Sequence, residues 1–339
     1  MTSIRPTFLA DAAKYYKGED YQTEALKWLQ SQISDALLEK FAAEFSPPQT
    51  EQKTVDINDK KAVQEQLIRI GLLDPPSDGK WGSLSESASR AAARVVGTDG
   101  ALTQDALNKV CKLKSFKDLS FKAKDPNDKE NLLALMIVQR MVDLGFHLTI
   151  SMGSDSPTYN IVYAAGVNAD GTLNSNKIDH WNDLRFLIEV AQDGTVIKHG
   201  CWSATIDAGW YWRGSRRMNN GGALQIDEDK QFLGTSCVGR HGARQYPALV
   251  QCGEITATRD RLGDGRTSDD TKVVGNFGSN DHHGWDSELV GINSAGCCVG
   301  RYIAGHQKFM ALLYLDRRYR CNNGFAWNRT ILFINLFIF

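Results

Sequence analysis

Residues Asn276 to His306 read NFGSNDHHGWDSELVGINSAGCCVGRYIAGH. Two adjacent histidines, His282 and His283, precede a Ser-x-Gly-Cys turn at Ser294 to Cys297, and Arg301 follows it. A thiol, an imidazole and a tight glycine turn are the parts of a cysteine acyl-transfer site. Gly296 lets the backbone turn sharply before Cys297. Such a turn exposes the thiol and aims backbone N–H groups at one point, where they can hold the oxyanion of a tetrahedral intermediate. A neighbouring imidazole raises the reactive fraction of the thiol by forming a thiolate–imidazolium pair. His283, followed by Gly284, is the expected base and His282 the alternative. The acceptor that orients the base is a backbone carbonyl, Asp281 or Asp286. Arg301 suits a substrate carboxylate. The opposing reading of the stretch is a glycine-rich surface loop around a buried structural cysteine.

The elements that must position this stretch follow from the rest of the chain. Its 339 residues leave room for two or three domains. Lys and Arg number 39 against 40 Asp and Glu, which argues against a sequence-independent grip on nucleic acid. Seven cysteines occur and none forms a C-x-x-C pair, so a zinc ribbon or thioredoxin motif is disfavoured. The N-terminal MTSIRPTFLADAAKYY has no signal-peptide core. With an odd cysteine count this implies reduced thiols in a chain made in the cytoplasm. No apolar run is long enough for a membrane-spanning helix, so stable membrane insertion is not expected. The apolar tail from Ile331 to Phe339 reads as a final strand or an exposed end. No cofactor is expected, and the oligomeric state is left open.

Residues 1–46 read as a helical leader, with apolar side chains at three- and four-residue intervals between 8 and 45. Pro47-Pro48 stops the pattern, and 47–57 reads as a linker. Residues 58–111 carry a helix with Val63, Leu67, Ile70 and Leu73 on one face, a Pro-Pro-Ser-Asp-Gly turn, and an alanine-rich helix from Ser85. A third helix spans Thr103 to Val110. Residues 112–128, rich in Lys and Asp, read as a linker. Asn131 to Leu144 is an apolar-faced helix. From Phe146 the period changes: 147–152, 159–167, 183–191, 195–205, 246–260 and 272–278 read as strands separated by Gly- and Asp-bearing turns. A helix runs from about Gly305 to Leu315. The whole is a multidomain α+β chain whose part from 129 to 339 is mainly β.

Two segments resemble known families. The order Gln64, Leu67, Gly71, Asp78-Gly79, Trp81-Gly82, Ser85 resembles the peptidoglycan-binding type 1 module, a three-helix bundle that binds cell-wall glycopeptide. The resemblance implies peptidoglycan as partner and gives Trp81 two roles, a sugar platform or the core aromatic of the bundle. The leader resembles short helical segments ahead of cell-wall-active domains in bacterial and phage proteins. The order His-Gly, short connection, Ser-x-Gly-Cys resembles the L,D-transpeptidase catalytic domain, which attacks a peptide bond of the peptidoglycan stem with a cysteine. Carried over, His283, Ser294, Gly296 and Cys297 take the family's places, in a β-sandwich-like mixed domain. Ala295 stands where that family has histidine, the connection is shorter, Cys298-Val299 replaces its usual ending, and Arg301 is shifted. The acyl-enzyme implied is resolved by an amine or by water. A phage-borne or otherwise delivered enzyme acting at the cell wall fits a chain without a signal peptide.

Two alternatives belong to other classes. One is a non-catalytic wall-binding structural protein on the same fold. The other is a zinc-dependent peptidoglycan hydrolase with ligands among His241, His282, His283 and His306, although no H-E-x-x-H spacing is present. Asp260, Asp264 and Asp269 resemble part of a calcium loop, with a solvated turn as the plainer reading. The stretch 218–224 lacks the Gly-Lys-Ser/Thr ending of a phosphate loop and is expected to border the cleft. Among Trp202, Trp210, Tyr211 and Trp212, the expectation is core packing with one ring in the cleft.

Overall fold

The computed structural model describes residues 54–152, 156–213, 218, 220–264 and 271–333. The helical leader, the Pro47-Pro48 stop, Asp269 and the end of the apolar tail lie outside the described residues. From Val55 onward the chain forms one compact unit. It is a mixed α/β structure with seven α-helices among the described residues and a mainly β part built round an eight-stranded barrel.

Three helices come first: α1 (Lys60–Arg69), α2 (Ser83–Val95) and α3 (Gln104–Val110). Asp59 and Thr103 cap α1 and α3 by accepting the N–H of the third residue on. Their apolar faces share one cluster that includes Val63, Leu67, Ala88, Ala92, Leu107 and Val110. Gln64 explains why the motif residues keep their order. Its Nε2 shares two hydrogens among Asp78 Oδ1 (3.1 Å), the Lys80 carbonyl (2.9 Å) and Ser85 Oγ (3.0 Å), while its Oε1 accepts the Gly79 N–H (2.7 Å). A buried amide with all its partners met fixes the turn between the first two helices. Trp81 is half-buried against the helical cluster, and its indole N–H is donated to Glu86 (3.1 Å).

The helices are joined to the barrel by a buried polar network. Arg318 donates to Asp74 (2.9 Å), Asp316 (2.7 Å) and the Tyr159 carbonyl (2.7 Å). Thr149 Oγ1 and the His147 ring also reach Asp74. Arg317 donates to the Leu72 carbonyl and to Ser87 Oγ, both at 2.8 Å. The stretch 112–128, expected to be a linker, carries Phe116 into the barrel-side core and β1 (Lys122–Ala123) onto the start of β4. Phe116 is apolar and 5 % exposed, so burying it outweighs the polarity of its neighbours.

Helix α4 (Lys129–Asp143), capped by Asp128, lays Leu133, Ile137, Val138 and Met141 on the outer face of the barrel. The barrel strands are β2 (Asn160–Ala165), β3 (Asp183–Val190), β4 (Thr195–Thr205), β6 (Lys230–His241), β7 (Tyr246–Gln251), β10 (Asp281–His283), β11 (Cys298–Gly300) and β12 (Ala326–Phe333). Their order is β4-β11-β10-β7-β6-β12-β2-β3, and β3 pairs back to β4 to close the ring. β10–β11 and β12–β2 are parallel and the other pairs antiparallel. Closure leaves no free edge. A second sheet of three strands, β5 (Ala223–Ile226), β8 (Ile255–Asp260) and β9 (Thr271–Gly275), stands beside it. Helix α5 (Trp210–Arg213) connects β4 to β5 in the chain, and α6 (Ile303–Leu313) and α7 (Arg317–Cys321) follow β11.

Inside the barrel, apolar residues such as Tyr159, Leu187, Leu249, Trp327 and Ile331 meet Phe309, Met310 and Leu313 of α6. Charged groups share that space. The Tyr163 hydroxyl donates to Asp281. Arg329 donates to the Ser279 carbonyl (3.2 Å), and Arg185 lies 4.1 Å over the Phe309 ring. Burial holds the Tyr163 hydroxyl well above its ordinary pKa.

Several expected elements differ. Residues 246–260 form two strands in different sheets, because the chain breaks at Cys252–Glu254. Strand β6 was absent from the sequence reading. Residues 147–152 make no ladder beyond a single bridge from Ser151 to Ala191, since their polar groups turn to Asp74, Asn160 and Gln231.

Candidate active site

Strand parity decides which side chains meet. Successive residues of a strand point to opposite faces. In the β10–β11 pair Asp281 stands opposite Cys298, His282 opposite Val299 and His283 opposite Gly300. Cys297 precedes Cys298 and therefore falls on the face of His282. Cys298 shares the inner face with Asp281 and is fully buried. Consistent with this, Cys297 and His282 line one open cleft of about 460 Å³, with His241, Arg259, Leu224 and Phe277 among its walls. The cleft lies between the outer face of the barrel wall and the three-stranded sheet. His283 lines a different cavity, of about 220 Å³, with Tyr246, His306 and Met310. Its ring stacks on Tyr246 at 4.2 Å. His282, the alternative base in the sequence analysis, thus shares the cleft with Cys297, and His283, the preferred base, faces the other cavity.

The turn before the thiol is built by Ser294 and Gly296. Ser294 Oγ accepts the N–H of Gly296 (3.2 Å) and of Cys297 (3.1 Å) and donates to the Cys297 carbonyl (3.0 Å). Gly296 sits at φ +117°, and an added Cβ would meet Leu224 Cβ at 2.4 Å and the Leu224 carbonyl at 2.7 Å. Glycine is therefore required both by conformation and by the approach of β5. The N–H groups expected to form an oxyanion hole are here committed to the Ser294 hydroxyl.

His282 Nδ1 lies 3.0 Å from the His283 carbonyl. A carbonyl only accepts, so Nδ1 carries the hydrogen and Nε2 keeps its lone pair. Of the three candidate acceptors named from the sequence, a backbone carbonyl is the one that His282 Nδ1 reaches. Asp281 faces inward to Tyr163, and Asp286 accepts the Ile303 N–H at the start of α6 (2.8 Å). The His241 ring stacks on His282 with centroids 4.0 Å apart and planes 11° from parallel. Asn280 Nδ2 donates to His241 Nδ1 (3.0 Å), and Asn280 Oδ1 accepts the Gln251 N–H (2.9 Å), which fixes both groups.

Burial and the neighbouring His241 lower the His282 pKa to about 3. Burial also raises the Cys297 thiol above its usual value, opposed by a hydrogen bond from the Asn280 N–H and by the charge of Arg329. Both shifts favour the neutral thiol and the neutral imidazole over a thiolate–imidazolium pair. Cys297 is partly exposed, and its Sγ lies 3.7 Å from the Gly278 carbonyl.

Arg301 is not among the residues lining the cleft; its Nε donates to the Ser287 carbonyl (3.1 Å) and its guanidinium lies 5.0 Å from the Tyr302 ring. Trp81 belongs to the helical cluster. Trp202 packs edge-on to Phe309, Trp212 lines the cleft, and Trp210 is 64 % exposed, so the aromatic cluster is divided among core, cleft and surface. Met218 and Leu224 also line the cleft. Asp260 is buried and paired with Arg213. Among the described residues no group of three or more His, Cys, Asp or Glu side chains is arranged to hold a metal ion. Stacked parallel imidazoles such as His241 and His282 cannot both aim in-plane lone pairs at one ion.

The sequence reading missed Arg259. It stands opposite Leu224 in the β5–β8 pair, so both turn to the cleft. The signal was the alternation of Ile255-Thr256-Ala257-Thr258-Arg259, which has meaning only once the small sheet is known to cover the thiol. No protein-family profile, curated protein or solved structure matches the chain.

Proposed function

We propose that this protein is a cell-wall-directed cysteine enzyme that opens a stem-peptide bond of peptidoglycan through an acyl-enzyme on Cys297, with His282 as base. The observation that carries the reading is the single cleft shared by the Cys297 thiol and an imidazole whose tautomer leaves Nε2 as acceptor. In the first step the thiol proton passes to His282 Nε2 as sulfur bonds the carbonyl carbon. The amide C–N bond then breaks, and the leaving amine takes that proton. Water or a second amine releases the acyl group by the reverse sequence. Proton transfer from a raised thiol to an imidazole with a pKa of about 3 is uphill in the free protein, so this route requires the bound substrate to favour the ion pair. The motif order from Gln64 to Ser85 supplies the substrate class.

One observation favours a second reading, a wall-binding protein without activity: the Gly296 and Cys297 amides already have Ser294 Oγ as partner. Incubation with purified muropeptides followed by mass spectrometry separates the two. The enzyme reading expects altered stem peptides and a loss of that change in Cys297→Ala. Unchanged stem peptides together with pull-down on insoluble peptidoglycan would establish the second reading.

A further inference from the structure

We infer that Arg259 forms a carboxylate subsite in this cleft, so that the peptide taken bears a free carboxylate close to the bond that Cys297 attacks. The inference rests on the proposed function and names the substrate feature that function leaves open. Among the described residues lining the cleft, Arg259 is the one with a permanent charge, and no Asp or Glu lines it. The other walls are apolar or neutral: Leu224, Phe277, Ile292, Trp212 and the two histidines held uncharged.

The side chain is already positioned. Its register opposite Leu224 sends it to the cleft, its Nη1 donates to the Gly222 carbonyl (3.3 Å), and the guanidinium lies 5.2 Å from the Phe277 ring centroid. A guanidinium has five N–H donors in a planar fork, and one arm held by a carbonyl leaves the rest for a ligand. Among the described residues no carboxylate forms an ion pair with it. Partial burial lowers its pKa, and a guanidinium keeps its proton in proteins, so it is a partly desolvated cation. Such a group binds an anion more strongly than an exposed arginine does. The volume of the cleft is that of a small-ligand site, enough for a short peptide end and not for a folded partner. Arg301, the cation the motif spacing suggested, is committed elsewhere. Arg259 reaches the cleft from a different sheet.

The test uses the full chain with Cys297→Ala, which cannot turn over. Binding of a muropeptide tetrapeptide with a free terminal carboxylate is compared by calorimetry with the same peptide as its carboxamide. The expected result is a 10- to 100-fold weaker Kd for the carboxamide, roughly the size of a hydrogen bond to a charged group. Arg259→Gln should erase the difference and Arg259→Lys should keep part of it. Equal affinity of acid and amide, with Cys297 of the wild-type protein acylated by both, would overturn the carboxylate subsite and leave the enzyme reading standing. Failure of both peptides to bind or to acylate would overturn both readings. Should Arg259→Gln not fold, the acid–amide comparison on the Cys297→Ala chain decides alone.

Discussion

Replacing Ser294 with alanine tests how the turn before the thiol is held. Ser294 is 1 % exposed, and its hydroxyl satisfies two N–H groups and donates to one carbonyl. Ala removes all three bonds and brings no new partner. A buried backbone group left unpaired costs about 1–3 kcal/mol. The Gly296 N–H is buried, whereas Cys297 is partly exposed, so water recovers part of the loss at Cys297. The net cost is about 2–4 kcal/mol. For a unit of this size 1 kcal/mol moves the melting midpoint by roughly 2–4 °C, so the variant should melt roughly 4–16 °C lower. Differential scanning calorimetry measures this, with Ser120→Ala, an exposed serine, as a control expected within about 0.5 kcal/mol of wild type. A midpoint within about 1 °C of wild type would show that the Ser294 hydroxyl does not organise the turn before Cys297.

Asp74→Asn should lower stability in urea unfolding by about 3 kcal/mol, because it removes the carboxylate that faces buried Arg318 across the junction of helices and barrel. Acid should destabilise the protein below pH 6.5. Buried His282 and His306 have folded pKa values of about 3 and about 2, so the unfolded chain binds more protons as pH falls through that window. Each contributes a slope of at most about 1.4 kcal/mol per pH unit, read from calorimetric midpoints at several pH values. Alkylation of Cys297 by iodoacetamide, followed by peptide mass spectrometry, should be slow at pH 7 and climb beyond pH ~8.5, the ordinary thiol value, because burial raises this thiol. A rate already at its plateau below pH 7 would reveal a thiolate–imidazolium pair and contradict the neutral site.

The parts legible in the sequence are those whose signal is local. The apolar period of Leu133, Ile137, Val138 and Met141 locates α4 within two residues of the sequence-based bounds. The apolar residues Leu184, Phe186, Leu187, Ile188 and Val190 mark β3, which is buried on both faces as a strand between barrel interior and α4 must be. Barrel closure was not legible, because it depends on the parallel pairing of Tyr163 with Ile331, far apart in the chain. Lys230–His241 carries Gly234, Ser236 and Gly239 among its residues and lacks the alternation that marks a half-buried strand. It is held by two neighbours rather than by its own pattern. In the site, the thiol and the glycine turn were visible because they are adjacent in sequence. The choice between His282 and His283 was not, since it depends on which face of β10 meets the residue before Cys298. Arg259 enters from another sheet, and Arg301 is withdrawn by the Ser287 carbonyl, which spacing alone does not reveal.

The central claim is the pairing of Cys297 with His282, and single-turnover acylation by a muropeptide, followed by intact-protein mass, tests it most directly. His282→Ala should slow formation of the Cys297 adduct by about 10²–10⁴-fold, the usual contribution of a positioned base. His283→Ala, on the other face of β10, should stay within about threefold of wild type, since it removes no group from the cleft. An adduct that forms at the wild-type rate in His282→Ala and is lost in His283→Ala would contradict that pairing.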